Sequence, residues 1–161
     1  MYDEILLPVA PGGEANDAIP HAIGLARRSD ATVRVVSAAD TPVDTLAGPQ
    51  LGAFSDRLAD AAEERVEAVT AELEAAGVKA VGNVVRGEPL EVIENAIDDG
   101  VDIVVMPSHT RRGIRRLLLG SVTEKVIRVA SVPVVTVPMA DSEEAADDEG
   151  VDDAGDASGL R

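Results

Sequence analysis

The sequence predicts an α/β fold with a single open five-stranded parallel sheet, in the strand order 3-2-1-4-5, and helices on both faces. Short runs of branched apolar residues alternate with segments of helical periodicity, which gives the element order βαβαβαβαβ. Tyr2 and Phe54 are the only aromatic residues, so the core has to consist of valine, isoleucine, leucine and alanine. Such a core is typical of parallel strands that are buried on both faces. The length of 161 residues suits one domain.

The first half of the chain predicts two strands and two helices. Strand one is the apolar run 5–9, and apolar residues at helical spacing over 19–26 predict helix one. Strand two covers the valines of 33–36. Helix two is the longest periodic segment, 51–76, and we expect it to end at Gly77, because glycine accepts the left-handed conformation that commonly follows a helix.

The second half repeats the alternation. Strand three lies within 78–85, and Pro89 is expected to begin helix three, because proline is tolerated in the first turn of a helix. Strand four is the nearly continuous apolar run 101–106. Helix four follows residue 120, and strand five covers 132–137, where two prolines favour a position at the sheet edge.

An acidic segment, 140–161, follows the predicted domain, which spans 1–139. The segment contains nine acidic residues and one arginine, and its few apolar residues are mostly small. Because it cannot bury enough apolar surface to offset the entropy lost on ordering, we predict a disordered tail.

The charge of the whole chain is also strongly acidic. The formal net charge is −16, and Lys79 and Lys125 are the only lysines beside twelve arginines. This composition favours a salt-rich cytoplasm, as in a halophilic archaeon, where counterions screen the repulsion between carboxylates. An ordinary acidic protein with an acidic tail is the alternative interpretation.

Several classes of protein are excluded by the sequence. Nucleic acid is a poor partner for so acidic a chain, because its phosphates would be repelled. No apolar stretch reaches the roughly 20 residues of a membrane helix. The acidic Asp3 and Glu4 directly precede the first apolar run, where a signal peptide carries positive charge. There is no cysteine for disulfides or thiolate metal sites. We therefore expect a cytoplasmic protein without membrane contact.

The predicted strand order places a ligand crevice between strands one and four, because open parallel sheets bind ligands where the strand order reverses. The loop after strand four contains four arginines, which suit either phosphate binding or pairing with the many carboxylates. Ser121 and Glu124 predict a capping box at the start of helix four. The free N–H groups of that helix end form a natural anion site.

The sequence of this loop, MPSHTRRGIRRLLLGSVTEKV, and the strand that follows it resemble the C-terminal half of a universal stress protein of the A type. The opening, ILLPVAPGGEANDAI, resembles the first strand and helix of the same family, so the resemblance extends over about residues 2–138. It implies an adenine-nucleotide alpha-hydrolase-like fold. It also implies a loop of the form G-x-x-G-x₉-G-S/T, whose backbone amides hold ATP.

This chain departs from the family pattern at three positions. Pro107 and Thr110 replace the first two glycines of the loop, whereas Gly120 and the following serine are retained. Proline has no N–H to offer, and threonine adds a side chain where the backbone approaches phosphate. Ala10 stands where nucleotide-binding members usually carry an aspartate.

The resemblance nevertheless implies a set of nucleotide-binding residues. The phosphates would contact Gly120, Ser121 and Val122, with Arg111 or Arg112 as counter-charge and His109 and Thr110 nearby. The base and ribose would lie along Pro8, Val9, Ala10, Ala38, Met106 and Pro107. The expected cofactor is ATP or AMP with Mg, and a crevice without a cofactor is the open alternative.

The function implied by the resemblance is that of a non-enzymatic stress-response protein that forms a homodimer through strand 132–137. No acid–base pair in the sequence supports catalysis. A protein-interaction module of the same fold, which binds no nucleotide and has unknown protein partners, is the alternative that the lost glycines and Ala10 favour.

Overall fold

A computed structural model describes residues 1–12, 17–39, 49–108 and 120–138. The predicted acidic tail and most of the arginine-rich loop lie outside these residues, so both the tail and the domain boundary at 139 stay predictions. Nine elements follow one another in the predicted alternation: β1 Glu4–Pro8, α1 Ala18–Ser29, β2 Thr32–Ala39, α2 Pro49–Ala75, β3 Ala80–Arg86, α3 Pro89–Asp98, β4 Ile103–Ser108, α4 Ser121–Val129 and β5 Val134–Pro138.

All five strands pair in parallel, in the order β3-β2-β1-β4-β5, so the predicted fold class and strand order are confirmed. β1 lies in the centre, with Ile5 facing Val33 of β2 on one side and Ile103 of β4 on the other. β3 and β5 are the two edge strands.

Alternating side chains of the sheet supply two apolar layers. Ile5 and Leu7 pack on one face together with residues of α1 and α2, including the fully buried Leu73. Leu6 points to the other face and packs with residues of α3 and α4, such as Ile93. The layers are built from aliphatic side chains because the inner strands β1, β2 and β4 have helices on both faces.

Glycines follow two of the helices, and one of them is the predicted Gly77. Gly77 follows α2 with a φ of 76°, and Gly100 follows α3 with a φ of 105°. Residues other than glycine rarely adopt such angles. α1 instead ends at Asp30, whose φ is 54°.

Two predicted strand boundaries are wrong by two residues at the start. The predicted 101–106 is observed as Ile103–Ser108, because the N–H of Val101 donates to the Ala96 carbonyl and so completes the turn after α3. The predicted 132–137 is observed as Val134–Pro138. Val101 is buried like a strand residue, so its apolar character gave no sign that it belongs to a turn.

Asp102 joins the amino-terminal ends of the two central strands. Its Oδ2 accepts hydrogen bonds from the N–H groups of Glu4, at 2.8 Å, and Asp3, at 2.7 Å. Both bonds stabilise the charged form of the Asp102 carboxyl, the bond from Glu4 most strongly. They therefore hold its pKa below the ordinary value.

Gly82 of β3 lets α2 approach the sheet closely. A Cβ at this position would lie 2.5 Å from Val66 Cγ1 and 2.7 Å from Thr70 Oγ1, distances that real Cβ atoms do not tolerate. Gly24 in α1 is the opposite case, because a Cβ there meets no atom within 4 Å.

We predict that Gly82→Ala lowers the free energy of unfolding by about 1–3 kcal/mol, since α2 must move away from β3. The matched control Gly24→Ala should raise it by about 0.5–1 kcal/mol, because alanine is the better helix former. Denaturant unfolding in molar potassium chloride measures both values. Equal behaviour of the two variants would contradict the close approach of α2 at Gly82.

A second prediction concerns the pH dependence of stability. A lowered pKa in the folded state means that Asp102 contributes stability that is fully present above its unfolded pKa and is lost as pH falls through the folded pKa. Asp102→Asn should therefore be less stable than the parent near neutral pH, and the difference should shrink below about pH 4. Thermal unfolding between neutral and acid pH tests this, with the exposed Asp60→Asn as control. A difference that does not depend on pH would contradict it.

Candidate functional site

A cleft of about 200 Å³ opens at the carboxyl ends of β1 and β4, where the strand order reverses. Its walls come from the ends of β1, β2 and β4 and from the first turns of α3 and α4. The lining residues are Pro8, Val9, Ala10, Pro11, Val36, Ala38, Pro89, Val92, Ile93, Met106, Pro107, Val122 and Thr123. The described lining is therefore almost entirely apolar and carries no charged side chain.

Seven of the thirteen site residues predicted from the sequence line this cleft: Pro8, Val9, Ala10, Ala38, Met106, Pro107 and Val122. Gly120 and Ser121 lie at the start of α4, next to Val122 but outside the lining. The remaining four, His109, Thr110, Arg111 and Arg112, lie outside the described residues. Where the structure describes the predicted residues, it brings them to one end of the sheet.

The sequence interpretation missed the wall that α3 contributes. Pro89, Val92 and Ile93 line the cleft opposite the strand ends. The sequence predicted that helix three begins at Pro89, but a predicted start does not say that the first turn of α3 reaches past the sheet. That depends on how far α3 begins beyond the carboxyl end of β3, which a single sequence does not reveal.

Ala38 presents backbone hydrogen-bonding groups on the β1 side of the sheet. In a parallel strand the N–H and C=O of one residue point to the same side, and successive residues alternate. Thr32 donates to Asp3, and the Val36 carbonyl accepts from Val9 N at 2.8 Å, so even-numbered residues of β2 face β1. Among the described residues, no later hydrogen bond joins β2 to the chain after β1. The N–H and C=O of Ala38, which point to the same side as those of Val36, therefore face the cleft and not a strand.

The amino-terminal end of α4 borders the cleft next to Val122. Gly120 is the N-cap residue in an extended conformation, with φ −60° and ψ 156°, and Ser121 is the first helical residue. The N–H of Glu124 already donates to the Gly120 carbonyl, at 2.9 Å. The three amides before it, at 121–123, are the ones that a helix leaves without an intrahelical partner. Such a helix end attracts anions.

The predicted capping box is wrong. Ser121 is not the N-cap, and no side chain forms a capping hydrogen bond at this end. Glu124 turns away from the helix start and accepts a hydrogen bond from Arg128 Nη2 at 2.7 Å, one turn later. The helix begins one residue earlier than the capping-box spacing requires, because Gly120 takes the extended conformation that precedes the first turn.

Thr123 joins α4 to the end of β4. Its hydroxyl donates to the Pro107 carbonyl at 3.3 Å, and the residue is only 4% exposed. Pro107 has no N–H, and its carbonyl already accepts this bond. On the rim, Lys125 Nζ lies 3.6 Å from Glu88 Oε1, so α4 and the start of α3 are also linked by charge. These contacts link α4 to the end of β4 and to the start of α3.

Metal ligation finds no support in the described part of the chain. Within residues 1–12, 17–39, 49–108 and 120–138, no three histidine or acidic side chains come close enough to hold an ion. None of the helices in these ranges is both long and apolar enough to cross a membrane.

Comparison with known proteins identifies the family. Residues 1–138 match the universal stress protein family. The chain belongs to this family. A universal stress protein of Methanocaldococcus jannaschii is 39% identical over 90 residues, which are 55% of this chain and 56% of that protein, so this match spans little more than half of the relative. A second one from the same organism is 32% identical over 148 residues, 89% of this chain and 86% of its own length.

Solved structures of the family share the fold. A Methanocaldococcus jannaschii protein, whose biochemical function was assigned from its structure, is 30% identical with a TM-score of 0.71, and the match covers 88% of this chain and 99% of that one. The universal stress protein of Archaeoglobus fulgidus, solved in complex with dAMP, is 19% identical with a TM-score of 0.57 over 84% of this chain and 97% of that one. At that identity the likeness shows the fold alone.

Proposed function

We propose that this universal stress protein binds an adenine nucleotide in the cleft between β1 and β4. The observation that supports this most directly is the pairing of two features at one cleft. The backbone groups of Ala38 lie on the β2 side, and the amides of α4 that have no intrahelical partner lie on the other. One offers a donor and an acceptor side by side, and the other favours an anion. A nucleoside phosphate requires both.

The base would bind at Ala38. The Watson–Crick edge of adenine has an amino donor beside a ring-nitrogen acceptor, which is complementary to one backbone C=O and one N–H. Guanine has the reverse order, a carbonyl acceptor beside an N–H donor. The apolar walls of Val9, Met106 and Ile93 would contact the faces of the ring.

The phosphates would bind at the start of α4. The amides of residues 121–123 supply donors, and Gly120 has no side chain to obstruct the approach. Arg111 or Arg112, with His109 and Thr110 nearby, would add polar contacts, and Mg would accompany a triphosphate. Support from other members of the family comes from the Archaeoglobus fulgidus protein in complex with dAMP.

Binding without catalysis is the activity that this lining supports. The described lining residues include no carboxylate, imidazole or amine that would serve as an acid or base. A second candidate function, a protein-interaction module that binds no nucleotide, is favoured by Ala10 and by Pro107, which provide no polar side chain and no N–H in the cleft.

We predict that Ser121→Pro weakens AMP binding about tenfold and leaves adenosine binding unchanged. Proline removes one amide that would donate to phosphate, and a hydrogen bond to a charged group is worth about this factor. The fold should tolerate it, because proline suits the first helical position and Gly120 already has the extended ψ that a residue before proline prefers. Calorimetric titration in molar potassium chloride, after removal of any co-purified nucleotide, gives both affinities.

Two controls belong to this titration. Ser121→Ala keeps the amide and should bind AMP like the parent, whereas GMP should bind the parent more weakly than AMP. Flat titrations of the parent with both AMP and Mg-ATP would reject nucleotide binding and favour the interaction module. An equal loss of affinity for AMP and adenosine in Ser121→Pro would contradict phosphate binding at the start of α4.

We further propose that the protein is a homodimer in the cytoplasm of a salt-adapted cell. β5 is an edge strand whose Val134 and Val135 are only half-buried, and unpaired apolar edges favour association. The acidic composition and the scarcity of lysine support the salt-rich setting.

The dimer has a direct test. In molar potassium chloride, sedimentation should show a species of twice the chain mass, and Val135→Lys should shift it towards monomer because it places a charge on the paired edge. Lys79→Ala, far from β5, should leave the mass unchanged. A monomeric parent at all concentrations would exclude the proposed dimer.

A further inference from the structure

The outer edge of β3 presents backbone groups that pair with no other described strand. Val33 of β2 donates to the Lys79 carbonyl at 2.8 Å and aligns with Ala80, so odd-numbered residues of β3 face β2. The N–H and C=O groups of Ala80, Gly82, Val84 and Arg86 therefore point away from the sheet. No strand in the described part of the chain lies on that side, since β3 ends the sheet.

A groove of about 540 Å³ runs along this edge, between β3 and α2. Its floor includes Gly82, Asn83 and Val84, and its wall includes Glu63, Glu67 and Glu74. All three glutamates are exposed, and none forms an ion pair with another described residue. They do not approach one another closely enough to hold a metal ion. The described lining of the groove therefore carries three negative charges and no basic side chain.

The opposite face of the same edge carries two exposed valines, with the exposed Asn83 between them. Val81 is 51% exposed and Val85 is 39% exposed, because α3 packs chiefly on β1, β2 and α4. Side chains of a strand alternate between the two faces of a sheet. A strand added beside β3 would thus meet carboxylates on one face and valines on the other.

We propose that the β3 edge binds an extended segment of a partner protein in which basic and apolar residues alternate, as a sixth strand of the sheet. Backbone bonds to the outward groups of Gly82 and Val84 would provide affinity, as in other cases of strand addition. Basic side chains would lie over α2, and apolar ones over Val81 and Val85.

The spacing of the charges fits this arrangement. Glu63 and Glu67 are one helical turn apart, about 6 Å along the axis of α2. Basic residues at alternate positions of a strand are about 6.6 Å apart.

Other occupants suit the surface less well. An acidic segment or nucleic acid would bring like charges to the three glutamates. A second copy paired edge to edge through β3 would place two acidic grooves side by side, and like charges across a strand pair are unfavourable. A basic segment is the partner whose charge is complementary.

Labelled synthetic peptides test the proposal on the full chain. A peptide of alternating lysine and valine should bind saturably, and amide resonances of Gly82 and Val84 should shift. Its counterpart with glutamate in place of lysine should not bind. Methylation of the alternate peptide amides that face β3 should abolish binding, whereas methylation of the outward amides should not.

A pair of protein variants assigns the charge contribution. The double variant Glu63→Gln with Glu67→Gln should bind the lysine peptide about fivefold more weakly, a typical effect for the loss of two exposed ion pairs. Glu64→Gln with Glu72→Gln removes the same charge from exposed α2 positions outside the groove and should have little effect. Equal losses in the two double variants, equal binding of the lysine and glutamate peptides, or no binding at all would overturn the proposal. Self-association that shifts the same β3 resonances would identify a second copy as the occupant instead.

Discussion

The burial of β1 on both faces and along both edges is the constraint on which the rest of the structure depends. Ile5, Leu6 and Leu7 are fully buried, each side chain contributing about 1.5–3 kcal/mol by its removal from water. Because these three alternate between the faces, the sheet needs helices on both sides. The cleft is a consequence of the same strand: the chain leaves the sheet after Val9, while β2 continues to Ala39.

The sequence was sufficient for the fold because its signals are repeated in every unit. The strands are rich in branched apolar residues, the helices have an apolar face, and every break except the short one at 30–31 contains a glycine or a proline. Boundaries were less predictable where burial and hydrogen bonding disagree. Val101 is buried but belongs to a turn, and Ser121 resembles an N-cap although Gly120 takes that place. In both cases backbone hydrogen bonds and backbone conformation set the boundary, and the type of side chain does not reveal it.

The candidate site was predictable to the extent that it consists of strand ends. Val9 and Met106 follow from the topology, because parallel strands end at one edge of the sheet, whereas Ala38 was implied by the family resemblance. Pro89 and Val92 do not, because their positions depend on the angle and starting point of α3. The groove beside β3 was not predictable from the sequence for another reason. Its glutamates belong to a chain of net charge −16, in which the sequence does not distinguish them from the many other carboxylates.

The two surfaces differ in how strongly salt affects them. At molar salt the screening length falls to about 3 Å, so exposed charge pairs beside β3 lose most of their attraction. The cleft between β1 and β4 relies instead on backbone groups at Ala38 and at the start of α4, whose hydrogen bonds act at contact distance inside apolar walls. Rising salt should therefore release a basic segment before it releases a nucleotide. The affinity for a partner at β3 would therefore depend on the ionic strength of the cell. The affinity for a ligand held by backbone amides would depend on it much less.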